Sequence, residues 1–193
     1  MPPSRRDELI DAAMRVFYRH GFHASSLDDI LEDAGISRMT LYNHFKSKDE
    51  LIVAAMRRRD EIFRNRLMKF VESKAKSPRD RIAAVFDFHE EWFAGDEFCG
   101  CMFINASAEF SVPDSAPRRL ASEHKLAIVR YLRELGAAAG IANAEETAEQ
   151  LNLLLEGAIV GARVVGQVEN GGADPGSYAR LAKAMALTVL DRA

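Results

Sequence analysis

The tightest constraint in this chain is a four-residue joint, Ala34-Gly35-Ile36-Ser37, set between two helical patterns too short to stand alone. Upstream, Ser25 or Ser26 opens a helix that shows Leu27, Ile30, Leu31 and Ala34 on one side and stops at Gly35. At 3.6 residues per turn that is only about two and a half turns. Downstream, Ser37 caps a second short helix through Phe45, with Leu41 and Phe45 facing one way. Helices of this length are marginal in water, so each must be held by packing against the other and against a third element. Gly35 permits the left-handed backbone of a tight turn, and Ile36 can plug the angle between the helices. The joint therefore leaves Arg38, Met39, Thr40, Tyr42, Asn43 and His44 on the outside of the second helix.

The flanking sequence supplies the third element and an all-α fold. A first helix starts near Ser4, capped with Asp7 three residues on, and presents Leu9, Ala13, Val16 and Phe17 before Gly21 stops it. Ser47-Lys48-Asp49-Glu50 has the spacing of a capping box and launches a long helix through Leu51, Ala55, Ile62, Leu67 and Phe70 towards Lys76. Ser77-Pro78 begins the next helix; Gly95 and Gly100 punctuate the middle, and Pro113 and Pro117 break the chain again. A further helix reaches about Leu135, with Gly136 and Gly140 marking its end, and two strong helices follow at 145–167 and 175–191, separated by a loop at 169–173. No alternating apolar-polar pattern of a strand interrupts this order. The expected organisation is an N-terminal three-helix domain at 1–50 and a larger helical bundle at 51–193.

Net charge and composition exclude several function classes. The overall charge is −3, yet residues 1–76 carry 15 Lys and Arg against 12 Asp and Glu, while 77–193 carry 11 against 17. Positive charge thus sits in the N-terminal part, where a phosphate-binding face needs it locally rather than globally. The sequence shows neither a membrane-length apolar run nor the apolar core of a secretory signal, which points to the cytoplasm and away from membranes. The two cysteines, Cys99 and Cys101, are separated by one residue, which is poor geometry for a disulfide and supplies only half a tetrahedral metal site. No Glu-x-x-His pair, zinc-protease His pair, phosphate loop or nucleophile elbow is present, so neither an enzyme nor a cofactor is expected.

Two short helices at such a joint form a helix-turn-helix, in which the second helix enters the DNA major groove. At the exposed start of that helix Arg38 has the fork to bond guanine O6 and N7, Met39 or Thr40 can meet a thymine methyl, and Asn43 is a second reader. Ser25 and Ser26 can offer hydroxyls and amides to a phosphate at a helix N-terminus. The run Ala12-Ala13, Phe17, Gly21-Phe22, Ser25-Ser26-Leu27, Ile30, Ala34-Gly35-Ile36-Ser37, Leu41-Tyr42, His44-Phe45, Lys48 and Leu51 closely resembles the N-terminal domain of TetR-family repressors. That resemblance implies that Tyr42, His44 and Lys48 touch phosphates and position the protein on double-stranded operator DNA. It also implies a homodimer built through the last two helices, a small-molecule effector, and repression.

The C-terminal part is read from side-chain size. Helix 145–167 carries Leu151, Leu154, Leu155, Ala158, Ala162 and Val165, with small residues at 157, 158, 161 and 162 that let another helix approach closely. That helix belongs either to a twofold mate or to the same subunit. The middle of the chain is rich in Phe86, Phe88, Trp92, Phe93, Phe98, Phe103 and Phe110, with His89, Asn105, Glu109 and His124 as polar company. Apolar walls with a few polar groups build small-ligand sites, and the expected pocket centres on Trp92, Phe103 and Phe110, with His89 and His124 beside them. Two alternatives remain open at this level: thiol chemistry at Cys99 and Cys101 as the signal, and an architectural DNA binder without effector.

Overall fold

A computed structural model of the chain describes residues 4–166 and 174–193. The expected loop at 169–173 and the last residue of helix 145–167 lie outside the described residues. Among the described residues the fold is all-α and holds nine helices: α1 (Arg5–His20), α2 (Leu27–Ala34), α3 (Arg38–His44), α4 (Lys48–Lys74), α5 (Pro78–Phe93), α6 (Met102–Glu109), α7 (Ala116–Ala138), α8 (Ala144–Val164) and α9 (Pro175–Leu190). Serine caps set most of the early boundaries. The hydroxyls of Ser4, Ser26, Ser37 and Ser77 each accept the backbone N–H three residues on, satisfying a donor that the first helical turn leaves over.

The helices gather into two compact units that do not divide at residue 50. The first comprises residues 1–63 and 101–124, the second 64–100 and 125–193. Two of the three dividing lines fall inside α4 and α7, and the third falls between α5 and α6. In the first unit Leu9, Ala12, Ala13, Val16 and Phe17 of α1 are buried with Ile30, Leu31, Leu41, Phe45, Leu51 and Met56. Further along α4 Phe63 is buried, whereas Ile62, expected on the apolar face, is half-buried.

In the second unit α9 packs on both α5 and α8. Gly161 makes the α8 contact possible: a Cβ there would lie 2.5 Å from Cδ1 of Tyr178, so only glycine admits the ring. Ala158 and Ala162 are buried with Leu151, Leu155 and Ile159, alongside Ala179, Ala182 and Ala186 of α9. Much of the small-residue pattern is thus used inside the subunit. Ion pairs from Arg180 to Glu90 (2.7 Å) and Lys183 to Asp87 (2.5 Å) join α9 to α5. The sequence placed the end of α7 at Gly136, but the helix runs through it to Ala138. Gly136 is buried where Ala144 approaches closely, and the left-handed residue that follows is Gly140 (φ +77°).

Candidate nucleic-acid interface

The interface is organised by the joint between α2 and α3. Gly35 adopts the left-handed conformation (φ 63°, ψ 33°), and its N–H and that of Ile36 return to the carbonyls of Glu32 and Leu31. Ile36 is buried at the corner, and Ser37 immediately caps α3. Buried Leu41 and Phe45 fix one side of α3, so the opposite side is turned outward by the helical period. On that outward side Met39 is 76% exposed and Tyr42 51%, with Arg38, Asn43 and His44 exposed beside them. Met39 and Tyr42 therefore share one exposed face of α3 with the polar side chains of Arg38, Asn43 and His44.

Neighbouring side chains restrain this face. Arg38 forms an ion pair with Asp28 of α2, and that carboxylate raises the guanidinium's pKa further above its ordinary value, with Tyr42 adding in the same direction. The sequence reading missed this pair; ten positions separate its members and no local pattern joins them. Thr40 is half-buried, its hydroxyl 2.9 Å from that of Ser37. Lys48 is half-buried at the start of α4, with Nζ 3.5 Å from the carbonyl of His23 and 5.9 Å from the Phe17 ring centre. Ser47 caps Glu50 as expected, but the Glu50 carboxylate reaches back to the N–H of Lys46, one residue beyond the usual capping-box partner.

Ser26 and Ser25 part company. Ser26 is exposed and forms a reciprocal capping box with Asp29, whose carboxyl is held below its usual range chiefly by the Ser26 N–H. Ser25 is 2% exposed and donates its hydroxyl to the Gly21 carbonyl at 2.6 Å, so that hydroxyl is consumed within the turn rather than offered to a phosphate. The Arg57-Arg58-Arg59 run is drawn largely into packing. Arg58 pairs with Asp7 and Asp11 of α1, and the Arg59 guanidinium lies 4.4 Å over the Tyr18 ring.

Residues 9–55 match the family model described as bacterial regulatory proteins, tetR family. Over 167 residues, spanning 82% of this chain and 79% of the other, the sequence is 30% identical to the HTH-type transcriptional repressor ComR of Escherichia coli K12. The chain belongs to the TetR family. Its fold superposes on SCO4454, a TetR-family transcriptional regulator from Streptomyces coelicolor, with a TM-score of 0.87 and 26% identity, covering 97% of this chain and 95% of that one. A shorter match, 36% identical over 89 residues and covering 45% of this chain and 41% of the other, is to the HTH-type transcriptional activator FasR of Mycolicibacterium smegmatis. These relatives are regulators rather than enzymes, and their names include both signs of control.

In this TetR-family chain the residues expected to line an effector pocket fall in different places. His89 and Trp92 belong to the second unit: His89 is buried and donates Nδ1–H to the Val85 carbonyl at 2.7 Å, and its ring meets Trp92, which in turn meets Phe98 edge-on. Phe103 and His124 belong to the first unit, with rings stacked at 3.8 Å, while His124 Nδ1 donates to Asp60 at 2.7 Å. Phe110 joins neither group; it packs on the rings of Phe22 and His23. Glu109, expected as pocket polarity, instead accepts the backbone N–H groups of Phe22 and His23. Cys99 is half-buried and Cys101 buried. A separate cavity of about 200 Å³ in the second unit lies between α4 and α7, walled by Leu67, Met68, Ile128, Arg130 and Tyr131. Burial raises the Tyr131 pKa above its ordinary value. Among the described residues no helix is long and apolar enough to cross a membrane.

Proposed function

We propose that this TetR-family regulator is a homodimeric repressor that reads operator DNA with α3 and releases it when a small apolar or aromatic effector binds. The observation that carries the DNA-reading half is the outward face of α3, where Arg38, Met39, Tyr42, Asn43 and His44 project from a helix anchored by Leu41 and Phe45. Tyr42, His44, Lys48 and exposed Ser26 are assigned to phosphates; Arg38, Met39, Thr40 and Asn43 are assigned to base edges. Arg38 then exchanges part of its Asp28 contact for guanine, a trade between two solvent-exposed partners that the helix tolerates easily.

The dimer is assigned to α8 and α9. Leu153 (69% exposed), Gly157, Val160 and Val164 recur along one side of α8, and Leu181 (62%) and Met185 lie exposed on α9. A twofold pairing of such faces sets two recognition helices about 34–36 Å apart, or a multiple of that, for successive turns of DNA. The aromatic cluster of His89, Trp92 and Phe98 supports an effector that is apolar or aromatic. A ligand favouring one conformer shifts the population away from the DNA-binding geometry.

Selection of bound sequences from a random DNA pool, repeated with metabolite mixtures, tests both halves. A palindromic consensus is expected, with enrichment lost in the mixture that holds the effector. A pool without enriched sequence refutes the DNA reading; a consensus indifferent to every mixture, together with no thermal stabilisation by apolar or aromatic compounds, refutes the sensing.

A further inference from the structure

The turn between α1 and α2 is held by a group far outside the helix-turn-helix. Glu109, the last residue of α6, places its carboxylate where Oε2 accepts the N–H of Phe22 at 2.9 Å and that of His23 at 2.8 Å, with Oε1 3.1 Å from the Phe22 nitrogen. The exchange is reciprocal: His23 Nε2 donates to the Glu109 carbonyl at 3.0 Å, satisfying one of the acceptors that a helix C-terminus leaves over. Phe110 closes the contact from beside, with ring centres 5.5 Å from Phe22 and 4.8 Å from His23. Gly21 makes the approach possible, since a Cβ there would lie 3.0 Å from Oε1.

The fixed turn is also the one that organises the DNA face. His23 presents its carbonyl to Lys48 Nζ, Ser25 ties its hydroxyl back to Gly21, and Ser26 begins α2. From α2, Asp28 holds Arg38. One carboxylate therefore fixes two amides from which connected contacts lead to a phosphate-facing lysine, a helix N-terminus and a base-facing arginine. Charge-assisted hydrogen bonds to backbone N–H groups are the stronger kind, and a bridge of this sort confines a turn that its own few residues would leave looser.

We infer that Glu109 is a positioning residue of the DNA interface: through the Phe22 and His23 amides it sets the α1–α2 turn so that Ser26 and Lys48 meet phosphates and Arg38 enters the groove in register. It touches no DNA itself. The inference rests on the DNA-reading function proposed above.

The test uses the full chain and the operator recovered from the random pool, with binding measured by fluorescence anisotropy across a salt series for wild type, Glu109→Gln and Glu109→Ala. Amide exchange at Phe22 and His23 is followed alongside. The Ala variant is expected to bind about tenfold more weakly, the loss of a hydrogen bond to a charged group. Its log affinity against log salt should be shallower by about one phosphate contact per protomer. Both amides should lose protection. The Gln variant, which keeps an oxygen in place without the charge, should fall between. Wild-type binding with an Ala variant of equal affinity and equal slope overturns the role of Glu109 while leaving operator reading intact; failure of wild type to enrich any operator overturns that reading instead. Weaker binding with unchanged slope and protected amides also overturns the inference. If the Ala variant does not fold, unchanged affinity and amide protection in the Gln variant do the same.

Discussion

Replacing Gly21 with alanine concentrates two costs at one atom. The residue sits at φ 84°, ψ 168°, a region that essentially only glycine occupies, where a side chain costs on the order of 1–3 kcal/mol. The new Cβ would also lie 3.0 Å from Glu109 Oε1, so the carboxylate must retreat by a few tenths of an ångström from amides it holds at 2.8 and 2.9 Å. Partial loss of those charge-assisted bonds adds roughly 1 kcal/mol. The sum, about 2–4 kcal/mol, corresponds to a melting temperature lowered by roughly 4–16 °C in a chain of this size. Denaturant unfolding at fixed protomer concentration measures it, since a dimer's stability moves with concentration. The two costs separate in a double-mutant cycle: in a Glu109→Ala background the clash is gone, and Gly21→Ala should lose only its backbone share. A Gly21→Ala protein within about 0.5 kcal/mol of wild type, or one with the same cost in both backgrounds, refutes the reasoning.

Further outcomes follow from the same geometry. Lys48→Ala should weaken binding about equally for all DNA sequences and lower the salt slope by about one per protomer, whereas Asn43→Ala should change the selected consensus with the slope kept, both readable by anisotropy across a salt series. Charged substitutions at Leu153 and Leu181, exposed on α8 and α9, should shift the sedimentation profile to monomer while leaving helical circular dichroism unchanged; a persistent dimer refutes that interface. The Asp29 carboxyl is held below its ordinary 3.8 in the folded chain, first by the Ser26 N–H and then by its hydroxyl. Its contribution is therefore present at pH well above the ordinary 3.8 and lost as pH falls through the lower folded value. Asp29→Asn should accordingly flatten the acid limb of the stability curve, and an identical limb in both proteins counts against the cap.

The parts of the fold legible in the sequence are those specified within a few residues. Ser26, Gly35 and Ser37 carry their structural instructions in their own chemistry, and each stands where the structure uses it. Two kinds of feature escaped. Elements held by distant partners left no local mark: α6 begins at Cys101 without a side-chain cap, and nothing near Glu109 or Phe110 names Phe22 and His23 as partners 86 or more positions away. Aromatic enrichment therefore suggested one pocket, where the structure has a ring cluster in each unit and a third contact at the turn. Side-chain size was also ambiguous about direction: Ala158 and Ala162 are buried inside the subunit, whereas Gly157, from the same stripe, is exposed.

The first compact unit is stitched from two separate stretches, 1–63 and 101–124, and this bears on how such regulators can be rewired. The helix-turn-helix motif by itself would place a single cut after it for exchanging the sensor body of one regulator with that of another. Here a transplant severed near residue 50 leaves the Phe22 and His23 amides to whatever acceptor the host's sixth helix supplies. A chimera that also carries 101–124 brings its own fastening, so the junctions worth cutting number three, and the heritable unit of DNA reading is longer than the motif that advertises it.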